Sequence, residues 1–368
     1  MSGHLCRACH GQAGQLVLDL GRQPACDYFP RSDDPGPDPV YALQMWLCAS
    51  CGLAQLLSDP TVPEEPRGLE PAALVAQATD AVGRVSAAGL LPPGAHVAEY
   101  GSPHGGSWLP LLTDRGLVPV ESAAPADVIV DCFGLMHEAD QRAALRERAA
   151  RLAPGGVLLL QYHSLGTIVR CGQWNALRHG HYAYYSATAL TAMLGAAGLS
   201  PHTAWQFDLY GGTVLIAAKR SHADAGAPDD VVRSLLADET ACGIDDPAAF
   251  VPLQDQVLTG AAQLRELVAG RRASGHRVLG YGAASRAVAL LRVSGVDRDL
   301  LPAIADASPA KQGLRLPGTM IPIISPEELI AQAPHDVLVF VPDLIQEIRA
   351  AYPQVEAAGG RWIAAETI

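Results

Sequence analysis

Two pairs of cysteines near the start of the chain constrain its fold more than any other feature of the sequence. Each pair has two residues between its members, Cys6-x-x-Cys9 and Cys48-x-x-Cys51. Because this spacer lets both sulfurs face one point, the two pairs can close a tetrahedron of thiolates around Zn²⁺. Four thiolates leave no position for a catalytic water, so the zinc is predicted to be structural. Buried cysteines without a metal are the alternative.

The overall composition favours a folded, soluble protein with more than one domain. The chain has 368 residues, of which 49% are hydrophobic, and a formal net charge of −12. Because it is acidic and has no run of basic residues, nucleic-acid and anionic-membrane partners are not expected. No apolar stretch reaches the ~20 residues of a membrane span, and the first residues do not resemble a secretory signal. We therefore expect a cytoplasmic protein with reduced cysteines.

Two polar, proline-containing stretches, residues 59–66 and 221–228, divide the chain into three predicted units. The three are a zinc-binding domain over residues 1–59, a middle α/β domain over residues 70–220 and a C-terminal α/β domain over residues 228–368. A Pro/Asp-rich stretch, residues 31–39, separates the two cysteine pairs and is predicted to be a loop.

The middle unit alternates strand-like and helix-like segments, which predicts a parallel α/β sheet. Strands are predicted at residues 96–100, 118–121, 127–132, 155–161 and 211–218, and helices at residues 140–152 and 187–197. The last unit opens with a long amphipathic helix over residues 254–272, and a strand and glycine turn follow at residues 276–286. This pattern predicts a second, smaller α/β unit, so the chain as a whole is predicted to be of the α/β class.

A glycine turn after the first strand of the middle unit is the candidate cofactor site. Glu99, Gly101, Ser102 and Gly105 stand at this turn, where backbone can approach a ligand closely. Glu121 lies 20 residues beyond Gly101, at the end of the next predicted strand. That is the position of an acid that binds ribose hydroxyls. An ordinary strand-to-helix turn is the alternative interpretation.

The segment over residues 178–186 is rich in groups for acid–base chemistry. Imidazoles titrate near neutral pH, and phenols both donate and accept hydrogen bonds. An aromatic surface patch is the alternative. The candidate residues of the segment are Arg178, His179, His181, Tyr184, Tyr185 and Ser186.

The last unit contains a candidate site for a diphosphate. Arg286 follows the glycine turn after one predicted strand, and Lys311 and Gln312 follow another. Cationic side chains and neighbouring backbone amides are the groups that bind phosphates. Turn glycines with solvated cations are the alternative interpretation.

The order of these motifs along the chain resembles that of the zinc-containing C-methyltransferases of nucleotide-deoxysugar biosynthesis. The resemblance covers nearly the whole chain, from the cysteine pairs through the residue 178–186 segment to Lys311-Gln312-Gly313. It implies a zinc domain, a Rossmann-like methyltransferase domain that binds S-adenosylmethionine (SAM) and is shortened in this chain, and a C-terminal Rossmann-like α/β domain. It also implies that a TDP-4-keto-sugar lies between the last two domains, and a role in antibiotic biosynthesis.

The resemblance implies a role for each candidate residue. His181 occupies the position of the family's base, which removes a proton next to the ketone before the carbon attacks the methyl group. The other residues expected to take part in catalysis are Arg178, His179 and Tyr184. SAM is expected at Glu99, Gly101, Ser102, Gly105 and Glu121. The sugar nucleotide is expected at Tyr185, Ser186, Arg286, Lys311 and Gln312.

The chain departs from the family pattern in three places. The family motif Tyr-His-Glu-His reads Arg178-His179-Gly180-His181 here, so a tyrosine and a glutamate are replaced. The segment before the middle domain, residues 61–68, lacks the family's tyrosine. Only six positions separate Glu121 from Asp127, whereas a crossover between parallel strands takes a dozen or more residues. Either the strand order has changed or a strand has been lost.

These departures leave two alternatives to methyl transfer. The first is an epimerase or isomerase of the same substrates, in which reprotonation replaces methylation and SAM is not needed. The second is an inactive sugar-nucleotide-binding partner of another enzyme. In each case we expect a monomer or a small homo-oligomer.

Overall fold

The computed structural model describes residues 4–61, 70–102, 105–121, 124–221 and 227–365. Within these ranges the strands form three sheets, of four, six and five strands. None of the helices in the same ranges combines the length and apolar character needed to cross a bilayer. Most of residues 61–68, where the family's tyrosine is missing, lie outside the described residues.

The first unit is built on antiparallel strands that follow the first cysteine pair. The strands are β1 (Gly14–Pro24), β2 (Val40–Cys48) and β3 (Ala54–Leu56). β2 pairs with both of the others. The Pro/Asp-rich stretch between β1 and β2 forms a loop, as predicted, and Arg31 in it makes an isolated bridge to Leu314 of the last unit.

The middle unit contains the predicted alternation of helices and strands. Its elements are α1 (Ala72–Ala87), β4 (His96–Tyr100), α2 (Leu109–Thr113), β5 (Val118–Pro119), β6 (Ala126–Cys132), α3 (Gln141–Arg151), β7 (Leu152–His163), α4 (Leu165–Arg170), β8 (Ala183–Tyr184), α5 (Ala187–Ala196), β9 (Leu199–Phe207) and β10 (Thr213–Arg220).

The sheet of the middle unit has the strand order β5-β4-β6-β7-β10-β9. β5, β4, β6 and β7 are parallel, but β10 is antiparallel to β7 and to β9. The prediction of a wholly parallel sheet is therefore wrong for its last part, and β9 was not predicted. The physical reason is the short turn through Gly211 and Gly212, because a connection of this length joins only antiparallel neighbours.

The short connection between Glu121 and Asp127 has a simple structural consequence. β5 pairs with one side of β4 and β6 with the other. Among the described residues of the connection there is neither a helix nor a further strand. The described sheet therefore ends at β5, which corresponds to the loss of a strand and not to a change in strand order.

The last unit is an α/β unit with a parallel sheet of strand order β13-β12-β11-β14-β15. Its helices are α6 (Asp230–Cys242), α7 (Val251–Ala273), α8 (Ser285–Val293), α9 (Pro326–Ala331), α10 (Ile345–Ala351) and α11 (Gln354–Ala357). Its strands are β11 (Val278–Tyr281), β12 (Ile304–Ala305), β13 (Ile323–Ile324), β14 (Asp336–Val339) and β15 (Arg361–Ala364).

The sheet of the first unit is joined to both other units. Leu18, Leu43 and Met45 belong to one buried cluster with Leu253 and Val257 of α7. On its other side, β3 pairs antiparallel with β8 of the middle unit. β8 lies directly after the residues predicted to be catalytic, so the first unit helps to position them.

A buried ion pair also joins the first unit to the last. Arg315 and Asp38 expose only 1% and 6% of their side chains, and two Arg315 nitrogens donate to the Asp38 carboxylate at 2.6 and 2.7 Å. The backbone N–H of Gly318 donates to the same carboxylate at 2.6 Å. Burial alone raises the pKa of Asp38, but these hydrogen bonds outweigh it and the pKa is lowered.

We expect Asp38→Ala to destabilise the protein by about 3–5 kcal/mol, because it leaves the Arg315 charge buried without its carboxylate. The measurement is the free energy of unfolding in urea. Because the folded-state pKa of Asp38 is lowered, the stabilisation is complete above the unfolded pKa and is lost as the pH falls through the folded one.

Asp33→Ala is the matched control in the same loop, because the Arg31–Asp33 pair is exposed to solvent on both sides. We expect no measurable change in the urea midpoint of this variant. Equal effects of Asp33→Ala and Asp38→Ala would contradict the assignment of the stabilising contact to Asp38.

Candidate functional site

The four cysteines of the two CxxC pairs come together as predicted. Their sulfurs all lie within 4.8 Å of one another, and the pairs Cys6–Cys51 and Cys9–Cys48 are each 3.6 Å apart. The hydrogen bond from Cys51 lowers the pKa of Cys6 to about 5, against the effect of burial. Backbone N–H groups of Gly11 and Ser50 donate to two of the sulfurs. Four convergent sulfurs with such donors fit a tetrahedral zinc site.

One cavity of about 290 Å³ lies between the middle and last units. It extends from the glycine turn after β4 to the turn between β11 and α8, and α1 lines one side of it. Residues of the glycine turn, of the segment over residues 178–186 and of the predicted diphosphate site all line this cavity. A cofactor and a substrate could therefore meet in it.

The predicted cofactor residues of the glycine turn line the cavity. These residues are Glu99, Gly101, Ser102 and Gly105. The Glu99 carboxylate accepts hydrogen bonds from the Ser107 hydroxyl and the Trp108 backbone N–H, both at 2.6 Å. Among the described residues other than its chain neighbours, no heavy atom lies within 4 Å of the position that a Cβ would take on Gly101, and Gly105 has a φ of +97°. The turn therefore leaves open space where a ligand can approach the backbone.

Glu121, the acid predicted to bind ribose, does not line the cavity. It is exposed, and β5 ends two residues before it, at Pro119. The structure therefore does not bring Glu121 together with the other residues predicted to bind the cofactor.

His181, the predicted base, lies on the cavity wall and is 8% exposed. Nε of Arg178 lies close to both ring nitrogens of His181, 2.8 Å from Nε2 and 3.4 Å from Nδ1. The ring of His137 stands perpendicular to it, with the ring centroids 4.6 Å apart, and Nδ1 of His137 lies 2.9 Å from the carbonyl oxygen of Gly180. His137 was not predicted, although it follows the end of the predicted strand β6 and could have been found from that position.

His179 does not line the cavity. It is buried against the first unit, with Nε2 at 3.4 Å from the Ala42 carbonyl oxygen and its ring edge-on to Tyr41. Burial lowers the pKa of His179, so the imidazole stays neutral. Residues 179–180 form a turn, with Gly180 at a φ of +81°, so the chain changes direction between His179 and His181 and the structure does not bring the His179 side chain to the cavity.

Tyr184 lines the cavity and hydrogen-bonds the backbone at Arg178. Its hydroxyl accepts a hydrogen bond from the Arg178 backbone N–H at 3.0 Å and lies 3.3 Å from the Arg178 carbonyl oxygen. Burial raises the pKa of Tyr184, so the phenol keeps its proton. Tyr184 therefore positions Arg178 within this segment.

Three residues predicted to bind the sugar nucleotide have structural roles outside the cavity. Tyr185 is buried and donates to the side chain of Gln141. Ser186 is the N-cap of α5 and accepts from the Ala189 backbone N–H. Gln312 donates to the Asp306 carbonyl oxygen at 3.0 Å. The structure does not bring these three residues to the cavity, because these contacts direct their side chains elsewhere in the fold.

Arg286 and Lys311, the predicted cations, do line the cavity. They lie beside the N-terminus of α8, whose N-cap residue Ala284 provides no side-chain cap. Nζ of Lys311 donates to the Ala283 carbonyl oxygen at 3.0 Å, and the Arg286 guanidinium lies 5.3 Å from the centre of the Tyr210 ring. A helix N-terminus with two cations is suited to an anion.

Two aromatic residues that were not predicted as site residues, Phe133 and Tyr210, also line the cavity. Phe133 and Tyr210 both have left-handed backbone, with φ of +58° and +57°, and their rings contact edge-on at 5.8 Å. Such backbone is costly for bulky residues and is concentrated at functional sites. His163 lies beside Tyr210, and burial together with the Arg286 charge lowers its pKa to about 3. This imidazole is therefore neutral.

Comparisons with known proteins give each unit a counterpart. A family model of a zinc-binding domain matches residues 6–65, one of a methyltransferase domain matches residues 74–204, and one of a C-methyltransferase C-terminal domain matches residues 208–365. C-methyltransferase NovU of Streptomyces niveus is 30% identical over 232 residues. That match covers 63% of this chain and about half, 54%, of NovU. The chain thus contains, in this order, regions similar to a zinc-binding domain, a methyltransferase domain and a C-methyltransferase C-terminal domain.

Several solved methyltransferases resemble part of the chain. Magnesium protoporphyrin IX methyltransferase (ChlM) from Synechocystis PCC 6803, with bound SAH, has 13% identity and a TM-score of 0.30, and the match covers 40% of this chain and 84% of that one. N-methyltransferase NodS from Bradyrhizobium japonicum has 15% identity and a TM-score of 0.32, with 42% and 90% covered. These scores are too low to say anything about the ligands of this chain.

Proposed function

We propose that this protein is a SAM-dependent C-methyltransferase that acts on the carbon next to the ketone of a TDP-linked 4-keto-deoxysugar. The observation that carries the proposal is the single cavity that joins the open glycine turn to His181, Arg286 and Lys311. The C-methyltransferase C-terminal domain and the similarity to NovU support the type of reaction. The zinc is proposed to be structural, because its four thiolates lie outside the residues that line the cavity.

The residues of the glycine turn fit the part of SAM that carries the methyl group. Gly101 leaves room for a ligand against the backbone, and Glu99, held by Ser107 and Trp108, adds a fixed negative charge. When bound, SAM supplies a methyl group on a positively charged sulfur. A carboxylate near the turn favours that charge.

The proposed chemistry begins with proton removal by His181. The C–H bond next to the ketone breaks, its proton moves to Nε2 of the imidazole, and the electron pair moves onto the ketone oxygen as an enolate. The Arg178 guanidinium is close enough to His181 to stabilise the negative charge on that oxygen. SAM held at the turn of Glu99 and Gly101 would supply the methyl group for the enolate carbon, and the proton removed from that carbon would remain on His181.

The diphosphate of the substrate is proposed to bind at the N-terminus of α8. Backbone N–H groups there have no side-chain cap, and Arg286 and Lys311 add two positive charges at the same edge of the cavity. These groups would orient the sugar towards His181, because the diphosphate fixes one end of the substrate.

Isothermal titration calorimetry with two ligands and two variants tests the proposal. The wild type is expected to bind both SAM and thymidine diphosphate. Gly101→Val is expected to abolish SAM binding, because its side chain fills the open space at the turn, and to leave thymidine diphosphate binding unchanged. Arg286→Gln is expected to weaken thymidine diphosphate binding by about ten- to a hundredfold and to leave SAM binding unchanged. A wild-type protein that binds neither ligand at millimolar concentration overturns the proposal.

The position of Glu121 favours one further candidate function, a SAM-independent epimerase or isomerase of the same substrate class. An exposed Glu121 leaves the ribose without the acid expected for it. Solvent deuterium incorporation into the keto-sugar without SAM, with no methylated product when SAM is added, would select this reaction instead.

A further inference from the structure

The chain makes a tight turn over residues 178–181, and the predicted base is its last residue. The backbone N–H of His181 donates to the Arg178 carbonyl oxygen at 3.4 Å, and Gly180, the third residue of the turn, has a φ of +81°. A positive φ at the third residue alone is typical of a type II turn. The first residue is anchored to the last unit, because the Arg178 side chain donates to the Ser285 hydroxyl. The form of this turn therefore decides where the His181 ring lies.

The central peptide of the turn, between His179 and Gly180, contacts the first unit at both ends. The Gly180 N–H donates to the Asp59 carboxylate at 2.5 Å, and the Cys26 thiol lies 3.7 Å from the His179 carbonyl oxygen. A type I turn differs from a type II turn by a rotation of this peptide, which would direct the N–H away from Asp59. Because a hydrogen bond to a carboxylate is stronger than one from a thiol, Asp59 is the group that selects the type II form.

The Asp59 carboxylate is itself held in a fixed orientation. Its other oxygen accepts from the Thr61 backbone N–H at 2.9 Å and from the Thr61 hydroxyl at 2.7 Å. On the far side of the turn, Nδ1 of His137 lies 2.9 Å from the Gly180 carbonyl oxygen. His137 and His181 both line the cavity, whereas Asp59 is outside the described residues that do so. Asp59 can therefore act on the predicted base only through the turn.

We propose that Asp59 is a positioning residue for the base: its carboxylate holds the type II turn and so keeps the His181 ring at the cavity wall. This inference rests on the proposed function, because that function assigns the proton removal to His181. Without the carboxylate the central peptide is free to rotate, and the ring is less often placed for proton removal. The rate of proton removal then falls, while the N-terminus of α8, where the diphosphate is proposed to bind, is unchanged.

Hydrogen exchange of the Gly180 amide in the free, full-length protein tests the contact itself. Protein labelled with ¹⁵N-glycine gives one amide signal for each glycine, and the Gly180 signal is the one that is absent from Gly180→Ala. In the wild type this amide is expected to exchange slowly, because Gly180 is buried and bonded to a carboxylate. In Asp59→Ala its exchange rate is expected to rise by about ten- to a hundredfold.

Solvent deuterium incorporation next to the ketone of the sugar tests the consequence for the base. Asp59→Ala is expected to lower the maximal rate of incorporation by about ten- to a hundredfold. The KM of the keto-sugar and the Kd of thymidine diphosphate are expected to stay within a few-fold of the wild type. Gly180→Ala changes the same turn without altering Asp59, because a side chain disfavours a φ of +81°, and is expected to show the same split.

Glu239→Ala is the matched control for loss of a structural carboxylate. Like Asp59, Glu239 accepts from two backbone N–H groups and a threonine hydroxyl, but these belong to Ala187 and Thr188 at the start of α5. We expect this variant to be less stable than the wild type. Its Gly180 amide exchange and its deuterium incorporation are expected to stay within a few-fold of the wild type.

The inference is overturned if the Gly180 amide exchanges as slowly in Asp59→Ala as in the wild type. It is also overturned if Asp59→Ala and Glu239→Ala lower deuterium incorporation equally. The amide measurement concerns the free protein, so it does not depend on whether SAM or thymidine diphosphate binds. Failure of the proposed function would appear in the calorimetry and leave the amide exchange of Gly180 as it is.

Discussion

His181→Asn is expected to lower the rate of methyl transfer by about 10²–10⁴-fold, the usual contribution of a positioned general base. Asparagine keeps a polar group of similar size on the cavity wall but cannot accept the proton. The measurement is transfer of a labelled methyl group from SAM to a TDP-4-keto-deoxysugar. Solvent deuterium exchange next to the ketone is expected to fall by the same factor, because it needs the same proton removal.

His179→Asn is the matched control for this prediction. His179 lies two residues away in the same segment but packs against Tyr41, outside the residues that line the cavity. We expect the turnover number of His179→Asn to stay within a few-fold of the wild type, even where its stability is reduced. If His181→Asn retains turnover and thymidine diphosphate binding, another group is the base and the proposed mechanism is wrong.

The sequence was sufficient to predict those parts of the site that lie at the ends of single elements. Glu99 and Gly101 lie at the end of strand β4, and Arg286 lies in the first turn of helix α8, after a glycine turn. In each case the position along the chain determines the edge of the sheet at which the side chain lies. The cysteine pairs could be predicted for a similar reason, because the two-residue spacing within each pair lets both sulfurs face one metal ion.

The errors arose where the direction of a side chain depends on a distant partner. His179 and His181 are both imidazoles of one short segment, but His179 packs against Tyr41 and the Ala42 carbonyl oxygen of the first unit, which are distant in the sequence. Tyr185 is likewise directed into the fold, by a hydrogen bond to Gln141. No local pattern contains such information.

The contacts between units could not be predicted from the sequence either. Asp38 lies in a stretch that the sequence predicts only to be a loop, and its buried partner Arg315 follows 277 positions later. The Arg178–Ser285 contact spans 107 positions. Charged residues are usually exposed, so nothing in the sequence marks these as buried partners.

Removal of the zinc is expected to change the structure of the middle unit as well as that of the first. Cys48 ends β2 and Cys51 stands shortly before β3, so the metal fixes the loop between these two strands. β3 in turn pairs with β8, next to the segment that holds His181. We therefore expect the metal-free protein to lose the ordered contact of Arg178 and His181, and with it most of its turnover.

The expected loss of stability on zinc removal follows from the coupling of metal binding to folding. Structural zinc sites of four ligands contribute of the order of 10 kcal/mol in zinc-finger peptides, and part of that stabilisation is lost on chelation. For a chain of this size we expect the unfolding midpoint to fall by about 10 °C or more. The measurements are metal content by mass spectrometry, with about one zinc expected per chain, and thermal unfolding before and after chelation.

Cys48→Ser and Cys171→Ser make the prediction specific to the cluster. Cys48 is buried among the four sulfurs, whereas Cys171 is exposed and outside them. Cys48→Ser is expected to lose the metal, the high unfolding midpoint and turnover together, because serine is a poor ligand for zinc at this site. Cys171→Ser is expected to keep all three. If Cys48→Ser retained turnover after losing its zinc, β8 and the His181 segment would be held by the middle unit alone, and the strand pairing with β3 would have no part in positioning the base.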